Sequence, residues 1–125
     1  LARLYVYGFR NIGEALPEFQ QAQRLGYQMG PREHTQEADG YLYRSEYELA
    51  KARRAVRSNA EEASKWIDMS KTDADRAREL YEPLVGYSNV SANLELIYQD
   101  HAEQERLETG VAQATAKQAG FGKWQ

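Results

Sequence analysis

The chain has no cysteine. Disulfides, thiolate catalysis, cysteine-ligated zinc and cysteine-ligated iron–sulfur clusters are excluded together. No apolar run approaches the roughly 20 residues of a membrane-spanning helix. The sequence therefore offers no span of its own, although contact with a membrane-embedded partner stays open. Charge of one sign is also scarce. Sixteen basic residues meet nineteen acidic ones, for a formal net charge of −3, so no global field draws nucleic acid or acidic lipid. There is no Gly-x-Ser-x-Gly elbow and no Gly-x-x-x-x-Gly-Lys phosphate loop. Nor is there an internal repeat or a low-complexity tract. No cofactor is expected, and no catalytic residue.

What the chain does have is helical periodicity. At 125 residues, 42% hydrophobic and 28% charged with both signs mixed, it reads as one folded domain, residues 1–125, with a modest core. Residues 11–26 read as a short helix. Asn11 and Glu14 form a capping pair, Pro17 is an alternative first-turn residue, and Gly26 is the stop. Residues 26–31, GYQMGP, are a turn. Across residues 32–69, Ala38, Leu42, Ser45, Leu49, Ala52, Val56, Ala60, Ala63 and Ile67 recur every three or four positions. That pattern predicts one long helix, with Gly40 as its weak point, a true start or a bend. Residues 70–75 read as a turn and a new helix start, capped by Thr72, and Pro83 ends that short helix. A last helix over residues 90–119 carries the stripe Val90, Leu94, Ile97, His101, Gln104, Leu107, Val111 and Ala114.

Helices of about 30 residues are about 45 Å long, whereas a compact chain of this size has a radius of gyration of roughly 14 Å. The expected architecture is all-α: an elongated antiparallel hairpin or bundle built on two long helices, with short flanking helices and extended aromatic termini. The N-terminal arm, residues 1–10, alternates weakly and reads as extended or as a short strand without a partner. The C-terminal arm is residues 120–125.

Both arms are aromatic, with Leu4, Tyr5, Tyr7 and Phe9 at one end and Phe121 and Trp124 at the other. Chain ends are ordinarily polar. Aromatics and arginine are the types enriched in interface cores, and eleven of the sixteen basic residues are arginine. These six residues, with Arg44, Arg53, Arg54 and Arg57, are the candidate partner-binding set; the alternative is that the arms fold over their own bundle. The basic group suits phosphate by chemistry. Glu46, Glu48, Glu61 and Glu62 flank it, however, and Arg57–Glu61 and Glu61–Lys65 are good helical pairs. It reads as a solvated face or a protein contact. His101 and Glu105 lie one turn apart, but the Glu-x-x-His pairs of di-iron bundles are absent, so His101 is expected to be buried or interfacial. His34 is placed in a loop near Glu33 and Glu37.

Leu42-Tyr43-Arg44, followed by Lys51, Arg53, Arg54 and Arg57, resembles the opening of the mitochondrial LYR-motif family. The resemblance runs from Leu42 to Arg57. It departs from the family in having no phenylalanine between Phe19 and Phe121. It implies a three-helix bundle that binds an acylated carrier protein in a respiratory or iron–sulfur assembly context. The basic residues would then pair with the carrier's acidic helix, and the bundle would receive the acyl chain. On the residues alone, Leu42 is core, Tyr43 is a flank and Arg44 pairs with Glu48.

The first residue is leucine, and initiator methionine is normally trimmed only before small residues. A cleaved targeting segment and an organellar or exported chain are the leading expectation, with a truncated chain as the alternative. These readings converge on a non-catalytic accessory or structural subunit that bridges neighbours in a larger multiprotein complex. An organellar energy-converting complex comes first. The alternatives are the carrier-binding adaptor that the resemblance implies and a virion or filament subunit. The expected partners are other protein subunits, with no direct nucleic acid.

Overall fold

The first helix starts at its capping residue. Asn11 Oδ1 accepts from the Glu14 N–H at 3.1 Å, satisfying one of the orphan donors of the first turn. The computed structural model describes residues 2–3, 6–7 and 11–123, excepting the side chains of 120–123. Helix α1 is Ile12–Arg24, with Pro17 inside it rather than in its first turn. Gly26 follows with φ of 91°, the left-handed conformation that glycine adopts without strain. Helix α2 is Pro31–Ala55. Pro31 sits where the N–H has no helical partner, and Glu33 accepts from the Gly30 N–H at 3.0 Å. Helix α3 is Ala60–Tyr81, closed by a 3-10 turn, Glu82–Leu84, that holds Pro83. Helix α4 is Val90–Lys123. The fold is an all-α helical bundle, with no strand among the described residues.

The long stripe expected over residues 32–69 is two helices, not one. The break is marked by Asn59, whose Oδ1 accepts from the Glu62 N–H at 3.0 Å, with Glu61 and Glu62 in the first turn of α3. A four-residue turn is close to one helical period. Ala52, Val56, Ala60 and Ala63 therefore keep helical spacing while the chain reverses. Conversely, the turn expected at residues 70–75 lies inside α3. Thr72 Oγ1 donates back to the Asp68 carbonyl at 3.0 Å, and Ser70 is sealed between helices. Both serve the helix through bonds that would otherwise compete with it. The antiparallel hairpin is thus α2 with α3, and α4 lies against both as a third long helix.

Other expectations shift for similar reasons. His34 lies in the first turns of α2, not in a loop. Asp100 and His101 are respectively three and four residues beyond Ile97, so either fits the buried stripe. Asp100 is the one buried, while His101 is exposed and faces Glu105 at 3.2 Å. In the N-terminal arm, Ala2 and Arg3 are helical and Val6 and Tyr7 form a π-helical turn. The extended or strand reading fails for these four. Val6 is fully buried against Ile12, Ala15 and Phe19, because one apolar face of α1 needs cover that α2 does not supply. Leu4, Tyr5 and Phe9 lie outside the described residues, as do Trp124 and the side chain of Phe121.

The larger core cluster joins Ala38 and Leu42 of α2, Ala74, Ala77 and Tyr81 of α3, and Val90 and Ile97 of α4. Towards the α2–α3 turn it continues through Leu49, Ala52, Ala63 and Ile67, all buried. Val56, at that turn, faces α4: its Cγ1 lies 3.4 Å from where a Cβ on Gly110 would be.

Gly40 is neither a start nor a bend. It lies mid-helix and buried, and a Cβ there would meet Ile12 Cδ1 at 2.6 Å and Cβ at 3.2 Å. Its small size lets α1 settle on α2. Gly40→Ala gains about 1 kcal/mol of helix propensity but must push α1 away, so a net loss of about 1–3 kcal/mol is expected. In an Ile12→Val background, which lacks Cδ1, the same change should cost less. Urea titration of the four proteins measures both terms, and a stabilised Gly40→Ala chain would show that α1 does not rest there.

Candidate functional site

A seam of polar residues runs down the inner face of α2. At its N-terminal end, Asp39 accepts from the hydroxyls of Tyr81 and Tyr7. Asn93 Nδ2 donates to Asp39 Oδ1 at 3.3 Å and to the Tyr81 hydroxyl at 3.2 Å. Tyr81 is fully buried. Burial first and Asp39 second push both tyrosine hydroxyls well above their ordinary range, so they stay protonated donors. Nearly two turns on, Ser45 Oγ donates to the Ser70 carbonyl at 2.8 Å and Ser70 Oγ to the Ser45 carbonyl at 2.9 Å. Gln104 Nε2 from α4 donates to Ser70 Oγ at 3.0 Å. Both serines have no exposure. Their hydroxyls tie α2, α3 and α4 together.

Two acid pairs complete the seam. Arg44 forms two parallel bonds to Asp73, Nε to Oδ2 and Nη2 to Oδ1, each 2.8 Å, the bidentate fork of guanidinium and carboxylate. Glu48 lies against the same Asp73. It is 2% exposed and one of its oxygens has no partner. Burial, then the bond to Asp73, raises its carboxyl to about 9, so it enters the seam as a neutral acid. On the other side of α2, Glu46 meets Asp100 of α4, with Glu103 beside them and Arg53 paired to Glu103. Burial, then Asp100, lifts Glu46 to about 7. Burial also raises Asp100, whose Oδ2 has no partner. Glu46 also lines an open groove of about 830 Å³ with Ile12, Leu42, Tyr43, Tyr47 and Leu96.

The sequence-derived candidates scatter over this arrangement. Arg44 reaches across to Asp73 rather than along its own helix to Glu48. Tyr43 stands edge-on to Tyr7, with ring centroids 6.4 Å apart. All three residues of the Leu-Tyr-Arg tripeptide are therefore used inside the chain, and the guanidinium that the resemblance would offer to an acidic carrier helix is held by Asp73. Arg53 is taken by Glu103. Arg54 and Arg57 are exposed near the α2–α3 turn, without an ion-pair partner among the described residues. The expected Arg57–Glu61 pair is absent, while Lys65–Glu61 forms at 3.8 Å on the surface. Among the described residues there is no group of three or more His, Asp or Glu side chains arranged for a metal, and no helix is long and apolar enough to cross a membrane.

A second feature lies at one end of the bundle. Glu37 faces Arg76, and Asp39 faces Tyr81, so α2 begins where α3 ends. The α1–α2 loop and the α3–α4 loop therefore share that end. Leu25 and Tyr27 in the first are 67% and 69% exposed, and Val85 and Tyr87 in the second are 52% and 53% exposed. Residues 25–31 and 83–94 contain no charged side chain, in a chain that is otherwise 28% charged. No family model, no curated protein and no solved structure matches this chain.

Proposed function

We propose that the chain is a non-catalytic accessory subunit that seats its loop end on a neighbouring protein in a larger assembly. The observation that carries this reading is the pair of uncharged loops with four large apolar side chains in solvent. Loss of charge combined with exposed tyrosine marks the core of a protein–protein contact, and exposed apolar side chains gathered in one place mark a docking face. The polar seam supports the same reading from the other direction. The hydroxyls of Tyr81, Ser45 and Ser70 and the Arg44 guanidinium are engaged across the helices, so they serve packing.

The partner face that fits is apolar, with few charges, because a buried unpaired charge opposite these loops would be costly. Arg54 and Arg57, at the far end, suit a second contact with an acidic neighbour, which would make the subunit a bridge. The test is Tyr27→Asp with Tyr87→Asp in the tagged chain expressed in its native source. Wild type is expected to elute in a high-mass assembly and the double variant as a free small protein, with helicity and melting unchanged because neither side chain is buried. A wild-type chain that elutes free, or a variant that stays in the assembly, would overturn the reading.

A further inference from the structure

Between α2 and α3 lies a hollow of about 430 Å³, lined by Arg44 and Glu48 of α2 and by Asp68, Met69, Thr72 and Asp73 of α3. Three carboxyls and one cation meet there. Arg44 is spent on Asp73, through two bonds of 2.8 Å each, so those two charges offset each other. Glu48 and Asp68 are left over. Asp68 is exposed, and Lys71, one turn further along α3, binds Glu108 at 2.6 Å instead. Glu48 is 2% exposed, and its Oε1 has no hydrogen-bond partner. A buried carboxyl oxygen without a donor is costly, and this hollow holds no spare donor to satisfy it. The Thr72 hydroxyl gives its proton to the Asp68 carbonyl at 3.0 Å, so towards the hollow it can only accept.

We propose that this hollow binds a primary ammonium on an aliphatic stem, the group shared by lysine side chains and polyamines, seated between Glu48, Asp68 and Thr72. An ammonium carries three N–H donors and no acceptor, and these three side chains offer it acceptors from both helices. Met69, 47% exposed, gives the methylene stem an apolar flank. Other cations fit less well. A guanidinium wants a carboxylate free for its fork, and Arg44 already holds Asp73 in that way. A quaternary ammonium wants aromatic faces, and none lines the hollow. Among the described residues no group of three or more acids is arranged for a metal. With the site empty, burial and then Asp73 hold the Glu48 carboxyl up at about 9. An arriving ammonium favours the carboxylate, so binding at pH 7 should release the Glu48 proton. The site does not depend on what docks at the loop end.

Titration calorimetry at pH 7 with n-butylammonium tests the site. Wild type is expected to bind it saturably, one per chain, and to refuse tetramethylammonium at the same ionic strength. Repeating the titration in buffers of different ionisation enthalpy should show about one proton released per ligand bound. Glu48→Gln should weaken binding at least about tenfold, the worth of one hydrogen bond to a charged group, and abolish the proton release. Asp68→Asn, at an exposed position, should weaken it to a similar degree without disturbing the fold, and serves alone if Glu48→Gln folds poorly. Asp75→Asn, an exposed acid outside the hollow, should bind as wild type does. Spermidine and Nα-acetyl-lysinamide separate the two sources of such a group: the one bound more tightly, with the same loss in Asp68→Asn, is the source. No saturable binding of n-butylammonium, equal binding of tetramethylammonium, or undiminished affinity in Glu48→Gln and Asp68→Asn would overturn the assignment.

Discussion

Replacing Asp39 with alanine is expected to cost the bundle about 2–4 kcal/mol. Asp39 is the shared acceptor for the hydroxyls of Tyr7 and Tyr81 and for the amide of Asn93. Each buried donor left without a partner costs about 1–3 kcal/mol, and the Tyr81 hydroxyl cannot turn to water because the residue is fully buried. The Asn93 amide keeps the Tyr81 oxygen as an acceptor, and the Tyr7 hydroxyl, on a residue 38% exposed, can turn to water, which holds the total below three full penalties. Tyr81→Phe removes the stranded donor. The cost of Asp39→Ala should therefore be smaller in a Tyr81→Phe background, and the difference measures their coupling. Urea unfolding of the cycle checks this. Asp75→Ala, an exposed acid on α3, should stay within about 0.5 kcal/mol. A cost below about 1 kcal/mol for Asp39→Ala would mean that the hydroxyls do not converge on it.

Stability should fall as pH rises from 5 to 9, the reverse of a protein stabilised by ionised carboxylates. The sign follows from linkage. Glu48 and Glu46 are raised in the folded chain to about 9 and about 7, from an ordinary value of 4.5. The folded state therefore holds protons that the unfolded chain has released. That contribution is complete below pH 4.5, shrinks as pH rises and is gone above about 7 for Glu46 and about 9 for Glu48. Because another carboxylate stands beside each of these two acids, neither step is that of an isolated group. Glu48→Gln should flatten the urea-midpoint profile across the whole range from pH 5 to 9, and Glu46→Gln only between pH 5 and 7. A wild-type midpoint that climbs across this range would show that these acids are ionised in the fold.

The helical character of this chain is legible in its sequence, while its chain reversal is not. Asn11, Gly26, Pro31 and Pro83 act where local chemistry places them, because caps, left-handed stops and N–H-less positions are decided within one turn. The α2–α3 reversal escapes the periodicity because its turn preserves helical phase. Asn59 with Glu61 and Glu62 is the signal that would have found it. The polar seam was hidden for a different reason. Glu48, Asp73 and Asp100 are residue types that periodicity assigns to solvent, yet they are buried, with Asp73 held by the Arg44 guanidinium. The heptad spacing of Asp39, Glu46 and Arg53 was visible, but its meaning depends on α4 running parallel to α2. The resemblance around Leu42-Tyr43-Arg44 rested on the letters of the tripeptide. The bundle uses Leu42 as core and Arg44 as a cross-helix tie to Asp73.

Hydrogen–deuterium exchange of the chain, free and within its native assembly, tests the docking face most directly. Residues 25–30 and 85–89 lie outside the helices of the free chain and should exchange fast, then become protected in the assembly, while the mid-helix amides of α3 change little. Unprotected loops in the assembly, with new protection confined to another face, would contradict the account.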